Sequence, residues 1–248
     1  MIAEPLQWIC AALGAFMVGV SKAGITGLSL LSVALFTHVF PSSKQASGLV
    51  LPLLIFGDFV AVLSYRTHTQ WRYLWKLMPW TAAGVVLGYI ALGRISDGTA
   101  RITIGVIIVS LCVLGYWRRY LSLKPQEAAR TWHWTLAAGV GVVAGFITLI
   151  ANAAGPLMAI YLVAMRLPKM QFVGTAAVFF MLLNLFKVPF MVGLGLITAQ
   201  SFEFNLKLAP AVLLGALAGR WLLMRINQTL FDKMVLGLSS IAGVLLIV

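Results

Sequence analysis

The chain has little charge for its length, and acids are scarcer still. Of 248 residues only 10% are charged, with six Asp and Glu against 18 Lys and Arg. A soluble domain carries roughly a quarter charged residues. Cysteine is nearly absent: Cys10 and Cys112 both sit inside apolar runs, where Cys behaves as a small buried hydrophobe. They offer no metal spacing and no disulfide framework. No His-Glu-x-x-His occurs, Asp58 is the one carboxylate deep in an apolar run, and there is no nucleotide-binding motif. These absences argue against an intramembrane enzyme and against direct ATP drive, and no cofactor is called for. No basic stretch precedes the first apolar run, whose nearest charge is Glu4. Residues 5–20 therefore read as part of the mature fold rather than a cleaved leader.

What the chain has is hydrophobicity, 61% of residues and a mean hydropathy of +1.00. Ten apolar segments follow one another, at 6–20, 24–40, 46–65, 76–93, 101–117, 132–150, 154–165, 170–195, 206–224 and 231–248. A spanning helix needs about 20 such residues, so the pattern is that of an all-α integral membrane protein in contact with lipid. The net charge of +12 is spread between the runs rather than gathered on one polar face. It argues for a positive-inside distribution and against nucleic acid. With 66–76, 118–131, 166–169 and 220–233 on the cytoplasmic side, 12 basic residues lie inside. Four lie outside: Lys44, Arg94, Arg101 and Lys207. Lys22 and Lys187 stay at membrane depth. This orientation is that of an inner-membrane protein with both termini periplasmic. Trp71, Trp75, Trp80, Trp117, Trp132 and Trp134 sit near segment ends, as an interfacial aromatic belt requires.

The polar stretch 118–131 divides the chain into a first transmembrane repeat, 1–120, and a second, 132–248, with 121–131 as a cytoplasmic connecting loop. Pro79, Gly84 and Gly88 recur as Pro210, Gly215 and Gly219 at identical spacing, and Phe40-Pro41 recurs as Leu167-Pro168. Segment 154–165 is short for a span, yet 118–131 and 166–169 fall on one side. The chain between them goes in and comes back, which predicts a broken or re-entrant helical hairpin. By symmetry 6–40 does the same from the other face. The expected architecture is two inverted repeats, each a broken hairpin followed by three transmembrane helices.

Each hairpin interrupts its apolar run with residues that break or cap helices: Gly19-Val20-Ser21-Lys22-Ala23-Gly24-Ile25-Thr26-Gly27 and Gly145-Phe146-Ile147-Thr148-Leu149-Ile150-Ala151-Asn152-Ala153-Ala154-Gly155-Pro156. Irregular backbone at membrane depth survives only where protein or a water-filled cavity satisfies it. Paired breaks in two halves point to a transport site near the midplane. Ser21 and Asn152 are the N-cap candidates. Gly24, Gly27 and Gly155 would let an anion approach the backbone, Thr26 adds a hydroxyl, and Pro156 suits a first helical turn. Ser21, Lys22, Gly24, Thr26, Gly27, Asn152, Ala153 and Gly155 form the candidate binding set, two positive helix ends facing one cavity. The competing account is that Gly and Ala permit tight helix packing and that Lys22 snorkels to the interface. Asp58 and Lys187, each in an apolar setting, are candidates for coupling or gating, or for an ion pair across the repeat interface. Asn184, Thr175, Ser47 and Gln45 suit packing or capping better.

Over nearly its whole length the chain resembles the TauE/SafE sulfite exporter family. The resemblance rests on the break from Gly19 to Gly27, on Phe40-Pro41 with Gln45-Ala46-Ser47, on Pro79…Gly84…Gly88, and on their counterparts around Gly155, Gly174-Thr175 and Pro210…Gly215…Gly219. It departs from the family pattern after Gly27, where no proline comes before Pro41. The resemblance implies export of sulfite or a related inorganic or organosulfur anion by a secondary transporter. A passive anion channel, or a membrane subunit that requires a partner, is the alternative. A homodimer fits the crowding of small residues on several helix faces.

Overall fold

Lipid offers no partners to backbone N–H and C=O groups, so a spanning segment pairs them within a helix. The computed structural model describes residues 5–25, 43–92 and 125–247, together with Leu28, Ser32, Leu35 and Phe36. The expected spans 24–40 and 101–117 lie largely or wholly outside the described residues, as do Thr26, Gly27 and Phe40-Pro41. Among the described residues every regular element is helical: α1 Pro5–Lys22, α2 Ser43–Tyr65, a 3-10 turn Arg66–His68, α3 Trp71–Leu92, α4 Pro125–Ala151, α5 Gly155–Ala164, α6 Lys169–Gly193, α7 Ala199–Arg225 and α8 Gln228–Ile247. Among the described residues four stretches are long and apolar enough to cross a membrane: Pro5–Lys22, Gly48–His68, Lys169–Gly193 and Ala199–Arg225. The 10 residues of α5 reach only about 15 Å, half the thickness of a bilayer core.

Helix α4 begins ahead of its apolar run, so the stretch expected as a connecting loop is helical from Pro125 on. Proline suits the first helical position, and Gln126-Glu127-Ala128-Ala129-Arg130 is a run of strong helix formers.

Glycine sets how closely the helices cross. On α1 a Cβ at Gly19 would collide with the Val212 carbonyl of α7. Gly215 and Gly219 of α7 meet the backbone of Phe16 and Val20 in return. The α3–α4 crossing repeats these contacts. Gly145 meets the Thr81 carbonyl, Gly84 that of Val142, and Gly88 that of Phe146. Each glycine of one crossing stands where its sequence counterpart stands in the other. A second exchange joins the long helices α2 and α6. Gly174 of α6 abuts the backbone of Tyr65 and His68, while Gly48 of α2 abuts Leu196 in the turn after α6. Thr69 Oγ1 donates to the Gly174 carbonyl at 3.2 Å, and Thr175 Oγ1 accepts from the Gln70 N–H at 2.9 Å. Asn205 Nδ2 donates to the Leu49 carbonyl at 2.6 Å. The core lies along α2, α4, α5 and α6, whereas Leu6, Ile9 and Leu13 of α1 and Leu206, Leu214 and Leu217 of α7 face outward, as lipid-facing positions do.

The crossings predict a sharp contrast between glycines on one helix. Gly145→Ala should cost about 1–3 kcal/mol through overpacking. Gly139, also on α4, has nothing within 4 Å of an added Cβ. Gly139→Ala should be neutral or stabilise by about 0.5–1 kcal/mol. Thermal unfolding in detergent measures both, and equal melting temperatures for the two variants would refute the close crossing.

Candidate functional site

The first break places Lys22. Helix α1 ends there, with the Ala23 N–H shared between the Gly19 and Val20 carbonyls and the Gly24 N–H donating to the Ser21 carbonyl. Gly24 then adopts φ +119°, a conformation L side chains rarely take, and a Cβ there would strike Val173. The Lys22 stem passes Gly57 of α2, where a Cβ would lie 3.1 Å from Lys22 Cγ. Its ammonium reaches Asp58 Oδ1 at 2.6 Å and lies 4.7 Å from the centre of the Phe180 ring. Asp58 is fully buried. Lys22 thus turns inward to a carboxylate and does not snorkel to the interface.

The second break places Lys187. Helix α4 ends at Ala151, and Asn152 takes φ 52°, which Asn tolerates better than most residues. The fully buried Lys187 donates to Asn152 Oδ1 at 2.5 Å, Asn184 Oδ1 at 3.2 Å and Thr148 Oγ1 at 3.3 Å. Three acceptors use all three protons of an ammonium. Asn184 completes the chain by donating from Nδ2 to Asp58 Oδ2 at 2.6 Å. A carboxylate on one side and an ammonium on the other fix the orientation of that amide. The result is a continuous row, Lys22–Asp58–Asn184–Lys187, in which one carboxylate pairs with Lys22 directly and meets Lys187 through Asn184.

A cavity of about 30 Å³ lies against this row, room for about two waters. Ser21, Lys22, Thr148, Asn152 and Asn184 give its polar wall, with Gly24 and Gly155 at the two breaks. Gly155 opens α5, whose N-cap residue Ala154 makes no side-chain cap. The positive dipole end of α5 therefore lies at the cavity wall. Lys187 stands behind Thr148, Asn152 and Asn184 and sends its charge through them. The arrangement offers hydrogen-bond donors and net positive charge to a small anion.

A family model described as sulfite exporter TauE/SafE matches residues 11–246. The chain belongs to the TauE/SafE family. Members of this family are membrane transporters and not enzymes, and the apolar helices of this chain agree. No curated protein and no solved structure matches the chain.

In this TauE/SafE chain Ser21, Lys22, Gly24, Asn152 and Gly155 come together around one cavity. Ala153 is buried but does not line it, and Thr26 and Gly27 lie outside the described residues. Three expectations need correction. Ser21 is not an N-cap: it lies in the last turn of α1. Asn152 is not the N-cap of α5 either. Ala154 holds that position, because Asn152 is left-handed and its carboxamide oxygen is taken by Lys187. Asp58 pairs with Lys22 and not with Lys187, to which Asn184 bridges it. Thr148 and Phe180 went unread, and Asn184 was undervalued as packing. A signal for Thr148 existed: it follows Gly145 by the spacing at which Lys22 follows Gly19.

The ion pair yields a stability prediction. Lys22→Met leaves Asp58 buried without its cation and should cost about 3–5 kcal/mol. Lys22→Met combined with Asp58→Leu should recover much of that loss in the same melting assay. A double variant no more stable than Lys22→Met alone would show that the two side chains are not energetically coupled.

Proposed function

We propose that this chain is a secondary transporter that exports sulfite or a related sulfur-containing anion across the bacterial inner membrane. The observation that carries the reading is the buried row in which two lysines flank one carboxylate beside a cavity. Charge at membrane depth is costly and marks ion or substrate pathways. A surplus cation beside an uncapped helix N-terminus is suited to an anion, and the name of the family points to sulfite. A membrane potential that is negative inside would favour efflux by about 2.3 kcal/mol per charge per 100 mV. Asp58 and Lys187 would set the charge of the site and take part in coupling or gating.

The proposal includes two inverted repeats, 1–120 and 132–248, with periplasmic termini. The reciprocal glycine contacts support it, since a two-fold relation carries Gly19 onto Gly145 and Gly215 onto Gly84. At each crossing the residue numbers rise together, so the paired helices run the same way. With the basic loops inside, α1 and α7 run inward while α3 and α4 run outward. The broken segments then enter from opposite faces, the arrangement on which alternating access by rocking relies.

Titration of the purified chain with sulfite, followed by melting temperature, tests the reading. A ligand specific to the folded state should stabilise by about 2.7 kcal/mol at a hundred times its Kd. Lys22→Ala should abolish the response. No response to sulfite with one to thiosulfate or sulfoacetate would change the substrate, and no response to any anion would sink the transporter reading. Flux that rises without saturation in proteoliposomes would make the protein a channel.

A further inference from the structure

We infer that the site takes a monovalent sulfur oxyanion, hydrogensulfite or a short alkanesulfonate, in preference to a divalent one; this rests on the anion-transport reading. The charge states follow from hydrogen bonding. Lys187 lies within hydrogen-bond distance of three side-chain oxygens, a surrounding that suits an ammonium. Each oxygen of Asp58 has a neighbour suited to a carboxylate: the Lys22 ammonium forms an ion pair at Oδ1, and Asn184 donates to Oδ2. The other polar residues of the wall, Ser21, Thr148, Asn152 and Asn184, are neutral. Among the described residues, two ammonium groups and one carboxylate leave one positive charge to be balanced. Away from water an unbalanced charge is expensive, so the anion that closes the balance carries a single charge. A dianion would leave one negative charge over.

The shape of the cavity points the same way. One stripe of α6 runs through Val173, Ala176, Ala177, Phe180, Asn184 and Lys187. The first four are apolar and the last two belong to the charged row. The α6 wall of the cavity therefore has an apolar end and a polar end. Sulfate would turn charged oxygens toward both. A sulfonate presents three oxygens to the polar end and its carbon to the apolar one. Room for about two waters suits a compact head group.

The full chain in detergent, at constant ionic strength, decides the matter by comparing methanesulfonate, which keeps one charge, with sulfate, which keeps two. Methanesulfonate should bind about tenfold tighter or more. Sulfite affinity should fall from mildly acid to mildly basic solution as the anion takes its second charge. Methanesulfonate measured over the same range corrects for titration of the protein itself. Asp58→Asn keeps the side-chain shape, adds one net positive charge and should move the ratio at least about tenfold toward sulfate. Sulfate binding as tightly as methanesulfonate, or a ratio unmoved in a folded Asp58→Asn, would overturn the inference while leaving the anion site intact. If Asp58→Asn does not fold, the wild-type ratio and the sulfite series decide alone. Failure of all three anions to bind at any pH would overturn the transport reading and this inference with it.

Discussion

The structure depends on the cost of holding charge where water cannot reach it. Asp58 and Lys187 are fully buried, and neither would persist there without partners. The neighbouring irregularities serve that need. Gly57 makes way for the Lys22 stem, the turn at Gly24 ends α1 just after Lys22, and the left-handed Asn152 directs its oxygen to Lys187. Asn184 is the joint: its amide is the one group in the row that both donates to the carboxylate and accepts from the ammonium. Replacing it with an apolar residue would split one network into an ion pair and a lone cation.

That row has to be held in place, and the glycine crossings do so. Between lipid-facing helices there is little hydrophobic gain in association, so affinity comes from close van der Waals packing. Gly19 and Gly145 bring the backbones of α1 and α4 against α7 and α3, a turn or two before each chain breaks. Rigid contact at that distance fixes where Lys22 and Thr148 project. The helices that carry the breaks are therefore braced by the opposite half of the chain, which makes the two halves mechanically interdependent.

Much of this was legible in the sequence, and the rest failed for definite reasons. The lengths of the apolar runs gave the helices, and the paired breaks gave the cavity, because both depend on local composition. Asp58 and Lys187 stood out because a charge in an apolar run needs an explanation. Their partners were not legible. Spacing says which side of a helix a residue occupies, but not which of the other helices meets it. The cap roles assigned to Ser21 and Asn152 failed similarly: a polar residue beside a break can end one helix or start the next, and tertiary contacts decide. Thr148 was visible only by aligning the halves on Gly19 and Gly145, since threonine in an apolar helix is unremarkable by itself.

The two lysines are not equivalent, and the difference bears on transport. Lys22 lines the cavity, whereas Lys187 acts from behind a layer of neutral groups. A carrier needs a site attractive enough to fill yet weak enough to empty. Direct contact with two ammonium groups in a dry cavity would favour tight binding and slow release. Here the one cation in reach among the described residues is already engaged by Asp58, so an arriving anion must share it. The second cation strengthens the hold only through Thr148, Asn152 and Asn184. On the transport reading, then, the buried carboxylate moderates affinity as well as setting the charge of the site, and an acid so rare in this chain stands where it does for that reason.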